Sequence, residues 1–426
     1  MTETSSKKDK FALDSKYQGL DWNVWTELGQ LYAAEGGVNL GQGFPDYQPA
    51  KEIVAELAKV CEAEDYSLHQ YARAYGHPRL VKALASLYGG AIGRQIDPWT
   101  EILVTGGAYG ALFYTVMSNV GRGDEVIIIE PYFDCYEPLV HLAGGKPVFI
   151  QLRQTEPGSS SSSTWVLDSE ELRGAFNENT KAIIINTPNN PLGKVFSKQE
   201  LTEIGDLCKK YNVMVISDEV YEWMIYDGNE HVRMASLEGM WERTVTIGSA
   251  GKTFSLTGWK LGWAYGPKNL LRNLQVAHEN CTYMCHTPEQ EAVGAALEHE
   301  LTLLTSEKSF FRRIREELTR KREFWKNAVL QSGMTPIVPQ GGYFMLVDWA
   351  SLGPKPDLST EQGYEDVKFV KWLAKNWKLH GIPPSAFLST RNKNNLGLGT
   401  PTVPTAFSRI KNCATLRESL TAHIFY

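Results

Sequence analysis

Short, apolar, β-branched runs separated by longer stretches of helical character limit what this chain can fold into more than any other feature. The runs are Ile102–Val104, Val126–Ile129, Val148–Leu152, Ala182–Ile185, Val213–Ile216 and Val245–Ile247. Each has the length of a strand and lacks the polar alternation of a half-exposed one, the pattern of strands covered on both faces. Strands alternating with helices predict an α/β fold with a mostly parallel sheet between helical layers. Ligands of such sheets gather beyond the carboxyl ends of the strands, so residues at those ends carry most of the functional information.

The chain has 426 residues, room for more than one folding unit. The sheet and its helices predict a large domain over about residues 46–300. A charged amphipathic stretch, Thr302–Leu330, is expected to form one long helix leading into a smaller α/β unit over 301–426, which the N-terminal segment 1–45 is expected to join. Between the strands, Gln154–Thr164 holds Pro157, Gly158 and the run Ser159–Ser163, and reads as a surface loop.

A net charge of −6 with dispersed Lys and Arg lacks the basic stripe of a nucleic-acid-binding surface. The apolar runs are far shorter than the roughly 18 residues of a membrane span, so neither nucleic acid nor membrane is an expected partner. Met1–Lys10 is polar, with Glu3 and Asp9 and no apolar stretch, unlike a secretory signal. Six scattered cysteines read as free thiols of a reducing compartment. The cytoplasm is the expected location, with the mitochondrion left open. Cys281 and Cys285 lack the second pair that a zinc site needs, and are expected as ordinary thiols on one helix face; no metal is expected.

Four motifs stand at predicted strand ends. After Val245–Ile247 come Ser249, Ala250, Gly251, Lys252 and Thr253. A phosphate-cradling P-loop requires a glycine where this chain has Thr246, so that reading fails at its first position. The alternative makes Lys252 a Schiff-base lysine, which needs an aldehyde cofactor held nearby. Asp218, after Val213–Ile216, can keep a pyridine nitrogen protonated, so that the ring withdraws electrons from a substrate carbanion; taken alone it can equally cap a strand end. Tyr221 can hydrogen-bond a phenolic oxygen or serve as an ordinary half-buried aromatic. Asn190 precedes Pro191 in the turn Asn186–Gly193, where its amide can reach the same oxygen. The glycine-rich link Val104–Gly110 opens a helix at Gly107, Ala108 and Tyr109, whose N–H groups suit a phosphate; Ser249 and Lys260 can add a hydroxyl and a cation.

In conjunction and in this order, the motifs resemble those of the fold-type-I, class I/II aminotransferases, and most closely the kynurenine/glutamine aminotransferase group that includes cysteine-S-conjugate β-lyases. The resemblance runs from about Leu20 to Phe387 and rests on Val38–Asp46, Gln70–Pro78, Glu130–Tyr136, Asn186–Phe196, Ser217–Tyr221 and Ser249–Trp263. It implies a pyridoxal 5′-phosphate (PLP) cofactor bonded to Lys252, which then shuttles a proton. It further implies that Asp218 pairs with the pyridine nitrogen, that Asn190 and Tyr221 bind the phenolic oxygen, and that Phe133 stacks on the ring. Gly107, Ala108, Tyr109, Ser249 and Lys260 would hold the phosphate, with Tyr71 entering from the second subunit of a homodimer. Gly43 would line the substrate side, and Trp22, Trp25 and Tyr283 are candidates for accepting a large aromatic amino acid.

The reaction so implied is ping-pong transamination between an aromatic or kynurenine-type L-amino acid and a 2-oxo acid. Two alternatives use the same residues or fewer: β-elimination from cysteine conjugates, and a PLP-fold binding protein without catalysis. The C-terminus departs from the resemblance. Arg409, the candidate for the substrate carboxylate, aligns with the family arginine only across a short deletion, and Arg391–Thr405, rich in Asn, Gly, Pro and Thr, looks unlike the strand expected there.

Overall fold

In a computed structural model of the protein, the described residues are 10–20, 24–156, 158–352, 355–389 and 402–409. The strands, in chain order, are β1 (Val38–Asn39), β2 (Ile102–Thr105), β3 (Glu125–Glu130), β4 (Lys146–Gln154), β5 (Trp165–Leu167), β6 (Thr180–Asn186), β7 (Met214–Asp218), β8 (Thr244–Ser249), β9 (Gly262–Tyr265), β10 (Thr335–Ile337), β11 (Phe344–Asp348), β12 (Leu379–His380) and β13 (Thr402–Ala406). Eight of them form one sheet in the order β2-β9-β8-β7-β6-β3-β4-β5. The pairs β4–β3, β3–β6, β6–β7 and β7–β8 are parallel, whereas β9 runs antiparallel to both β2 and β8. The fold is thus α/β, with each of the six predicted runs in this sheet.

Side chains that alternate along a strand point to opposite faces, and here both faces are covered. Leu103, Val126, Ile128, Ile184, Ile216, Val245 and Ile247 join one buried cluster. Their neighbours Ile127, Ile129, Ile183, Ile185 and Val215 join a second cluster on the other face, and Ile102, Val104, Trp263 and Tyr265 a third. Each such aliphatic side chain contributes about 1.5–3 kcal/mol by leaving water, which is why these strands read as unbroken apolar runs. The flanking helices are well delimited: Lys198–Tyr211 starts in a reciprocal Ser197/Glu200 cap and ends at Asn212 in the left-handed region.

A smaller three-stranded sheet, β10-β11-β13, is built from the C-terminal part of the chain. The N-terminal segment reaches it through Ala406 N, which donates to Leu40 O at 2.6 Å, and its β1 pairs in parallel with β12 (Val38 opposite Leu379) in a separate two-stranded sheet.

Four expectations need correction. The stretch from Thr302 is not one helix, because the Glu300 carboxylate accepts from Phe310 N at 3.0 Å and from Ser309 Oγ; this holds residues 302–309 in turns, and the helix spans Phe310–Gln331. The serine run is not wholly a surface loop. Ser162 is buried, donating from Oγ to Gly193 O at 3.2 Å and accepting from Gln340 N at 3.0 Å. Cys281 closes the helix Lys268–Cys281 while Cys285 lies past its end, so the two thiols do not share a helical face. Residues 402–405 do form a strand: β13 pairs antiparallel with β11, Phe344 opposite Ala406. The Thr and Val side chains there suit a strand in spite of Pro404, and the remainder of the Arg391–Thr405 segment lies outside the described residues.

Candidate active site

Strands β2, β6, β7 and β8 run in the same direction, so Thr105, Asn186, Asp218 and Ser249 finish at one edge of the sheet. Beyond that edge lies a cavity of about 270 Å³. Gly43, Gly107, Ala108, Tyr109, Phe133, Asn190, Asp218, Tyr221, Ser249, Lys252 and Lys260 all line it. Eleven positions singled out in the sequence, spread over more than 200 residues of chain, thus converge on one space.

Lys252 projects from the short helix Ala250–Thr253 that follows β8. Its Nζ donates to Gly43 O at 2.9 Å and to the hydroxyl of Tyr343. Asp218 ends β7 and is buried. Its Oδ2 accepts from the Tyr136 hydroxyl at 2.6 Å. Burial pushes the Asp218 carboxyl up to about 6, against the smaller opposing effects of the Tyr136 hydrogen bond and the Lys252 charge. A buried carboxylate poised in this way is stabilised by a cationic partner placed beside it.

Asn186 organises the neighbouring turn. It stands opposite Asp218 in the β6–β7 ladder, donates from Nδ2 to Asp218 O at 3.0 Å and accepts from Asn190 N at 2.6 Å. One side chain therefore ties the Asn190 turn to the end of β7. Asn190 is itself buried, and its Oδ1 has no hydrogen-bond partner, an arrangement that is costly unless a ligand completes it. Tyr221 meets Tyr343 edge to face, with ring centroids 5.1 Å apart.

At the other end of the cavity, the helix Gly107–Asn119 begins with Gly107 at φ +75°, a conformation that glycine adopts without penalty. A side chain at Gly107 would approach Lys260 Nζ to 3.4 Å, so the ammonium lies beside this helix start. Strand β9 closes against the same loop: a Cβ at Gly262 would stand 2.4 Å from the carbonyl carbon of Gly107. Backbone cannot give way as a flexible side chain can. Gly262→Ala is expected to cost about 1–3 kcal/mol, measured by thermal unfolding, and to weaken phosphate-dependent cofactor retention in equilibrium dialysis.

The set fits pyridoxal phosphate. Asn190 lines the cavity with its Oδ1 unpartnered, a lysine amine and a carboxylate share the same space, and a glycine helix start with a nearby lysine suits a phosphate dianion. Tyr136, Tyr343, Asn186 and the cavity-lining Thr257 were not singled out from the sequence. Tyr136, Asn186 and Thr257 fall inside quoted motifs, and Tyr343 follows the pair Gly341 and Gly342, a signal that was available.

Other candidates lie elsewhere. Tyr71 is 81% exposed and rests edge-on against Tyr283, ring centroids 5.5 Å apart, away from the cavity of its own chain. Trp25 donates from Nε1 to Asp134 and packs edge-on against Phe387, so it does not form a cluster with Tyr283; Trp22 lies outside the described residues. The Arg409 guanidinium stacks over Phe44, 4.2 Å from the ring centroid, and Phe44 lines the cavity. Nε and Nη1 of Arg409 are buried without hydrogen-bond partners, and burial lowers the pKa of this group.

Comparison with known proteins agrees with this geometry. The family model for aminotransferase class I and II matches residues 35–406. Human kynurenine–oxoglutarate transaminase 3 is 49% identical over 395 residues, 92% of this chain and 86% of the relative. Human kynurenine–oxoglutarate transaminase 1 is 46% identical over 389 residues, 89% of this chain and 91% of the relative. Among solved structures, N-succinyldiaminopimelate aminotransferase from Mycobacterium tuberculosis superposes with a TM-score of 0.85 at 31% identity, covering 97% of this chain and 100% of that one. With one family model spanning most of its length and its lysine, carboxylate and glycine helix start gathered at one sheet edge, the chain belongs to the PLP-dependent class I and II aminotransferases.

Proposed function

We propose that the protein catalyses transamination between an aromatic, kynurenine-type L-amino acid and a 2-oxo acid, with ping-pong kinetics. The observation that carries the reading is the convergence of Lys252, Asp218 and Asn190 on one cavity whose wall residue Phe44 is stacked by the Arg409 guanidinium, with Nε and Nη1 lacking hydrogen-bond partners. The similarity to transaminases whose names specify kynurenine and oxoglutarate supports the substrate class.

Bound pyridoxal phosphate supplies a carbonyl that accepts the amino group and an electron-withdrawing ring that stabilises charge at the substrate Cα. The chain's residues do the rest. Lys252 Nζ would hold the cofactor covalently and, once freed, would serve as the base that takes the proton from the substrate Cα and gives it back. Asp218 would keep a proton on the pyridine nitrogen, and Asn190 Nδ2 and the Tyr221 hydroxyl would donate to the phenolic oxygen. Phe133 would cover the ring face, and the N–H groups of Gly107, Ala108 and Tyr109 would bind the phosphate with Ser249 and Lys260. Gly43 would bound the substrate side. The exposure of Tyr71 supports a symmetric homodimer in which it completes the partner's site. Among the described residues no helix is long and apolar enough to cross a membrane, and the described cysteines are free thiols, which suits a reducing compartment such as the cytoplasm.

Arg409 presents a planar fork that matches both oxygens of a carboxylate. Arg409→Lys is expected to raise KM for the amino acid by roughly 10- to 100-fold with a smaller loss in kcat, because one of two parallel hydrogen bonds is lost. The main test is an assay of L-kynurenine with 2-oxoglutarate. Parallel double-reciprocal plots and stoichiometric glutamate support the reading. Release of pyruvate and ammonia from a cysteine conjugate without a 2-oxo acid, and no glutamate from kynurenine, would assign elimination instead.

A further inference from the structure

Tyr343 makes a contact that the scheme above leaves unused. Its hydroxyl donates to Gly43 O, so its proton is committed and the oxygen presents a lone pair elsewhere. That lone pair accepts from Lys252 Nζ, which also donates to Gly43 O at 2.9 Å. Lysine nitrogen, tyrosine oxygen and glycine carbonyl therefore form a closed triangle. Tyr343 is fully buried and held in place: Phe407 N donates to its carbonyl at 3.0 Å, Gly342 N donates to Met224 O at 2.9 Å, and its ring abuts Tyr221.

We infer that Tyr343 and the Gly43 carbonyl are a dock for the free Lys252 amine, and that Tyr343 is a positioning residue for proton transfer. A primary amine has two N–H bonds and one lone pair, and an ammonium has three N–H bonds. The dock occupies two of these directions and leaves one. As Lys252 lines the cavity, the remaining direction carries the lone pair that removes a proton or the proton that is delivered. Without the dock the butylamine chain spreads over several rotamers, and the fraction poised for transfer falls. The acceptors come from opposite ends of the chain, Gly43 near the start and Tyr343 from the turn before β11, so the dock exists only when the N-terminal segment and the C-terminal sheet have closed on the large sheet.

This inference rests on the transaminase reading, and its test separates the two. Tyr343→Phe removes only the hydroxyl. The rate at which apoenzyme captures added pyridoxal phosphate, followed by absorbance, is expected to fall roughly tenfold, the effect of one hydrogen bond to a group that is charged in one of its states. In the same variant kcat with L-kynurenine is expected to fall by a similar factor with KM within about twofold. Tyr226→Phe is the control, for it removes another buried hydroxyl, one that bonds to Gly342 O in the same turn; it is expected to lower the melting temperature and leave the capture rate unchanged. A wild-type capture rate in Tyr343→Phe overturns the dock, as does an equal slowing in Tyr226→Phe. Wild-type enzyme that captures the cofactor but transfers no amino group sinks the transaminase reading, while the capture rates still decide the dock.

Discussion

Lys252→Ala is expected to lower kcat for transamination by roughly 10⁴-fold or more, because the proposed general base and covalent attachment point would be lost together. The fold should survive. The side chain is only part-buried, and its two acceptors, Gly43 O and the Tyr343 oxygen, remain linked by the Tyr343 hydroxyl. Asp218, Asn190 and the Gly107 helix start are untouched, so the variant should still bind the cofactor, without covalent linkage. Treatment with borohydride followed by mass spectrometry checks this directly: the wild type gains the mass of the reduced cofactor on the peptide containing Lys252, and the variant gains none. Labelling of a different lysine would overturn the assignment.

Asp218→Asn is the second large effect, and it divides function from stability. Removing the charge proposed to pair with the pyridine nitrogen is expected to lower kcat/KM by roughly 10²- to 10⁴-fold, the range lost when a positioned proton-holding group is removed. In the apoprotein the sign is reversed. Burial raises the Asp218 carboxyl from its ordinary value of 3.8 to about 6, so the folded state binds this proton more tightly than the unfolded state does. Above pH 6 the ionised carboxylate is therefore a cost to the fold, on the order of 3 kcal/mol for a shift of this size. That cost is relieved as pH falls from about 6 toward 4. Asn keeps an acceptor for the Tyr136 hydroxyl and carries no charge. Apo Asp218→Asn should accordingly melt several degrees above the apo wild type at pH 7.5, and the advantage should vanish near pH 4. Saturating the wild type with pyridoxal phosphate should remove the difference at pH 7.5, because a protonated ring nitrogen compensates the carboxylate. Equal melting temperatures of the two apoproteins at pH 7.5 would show that the carboxylate is not desolvated as the geometry implies.

Local chemistry was legible in the sequence where the chain itself carries it. The six apolar runs announced a sheet covered on both faces, and glycine, Asn-Pro and lysine motifs stood at their ends. Two strands were less legible: Trp165–Leu167 at one edge and Gly262–Tyr265 between β2 and β8 are short, and nothing local distinguishes an antiparallel neighbour of β8 from another parallel strand. The helix start at Phe310 was missed because amphipathic periodicity continues through residues 302–309, and only the Glu300 side chain, bonded to Phe310 N and Ser309, marks the break. Ser162 illustrates the opposite error. A serine run is soluble by composition, yet one hydroxyl is buried because Gly193 O and Gln340 N supply its partners from distant loops.

The sequence by itself determined the sheet, the order of motifs along it and the family, since strand burial, turn geometry and helix starts are dictated by residues adjacent in the chain. Only the tertiary structure decided how those motifs meet. It alone shows that Asn186 joins the Asn190 turn to Asp218, that Tyr136 bonds to the Asp218 carboxylate, and that Arg409 reaches Phe44 from the turn Phe407–Arg409, which follows a strand whose composition concealed it. The triangle of Lys252, Tyr343 and Gly43 belongs to the same class. Its three members are far apart in sequence, and hydrogen bonds between such residues depend on the register and packing of whole elements, which no local pattern encodes.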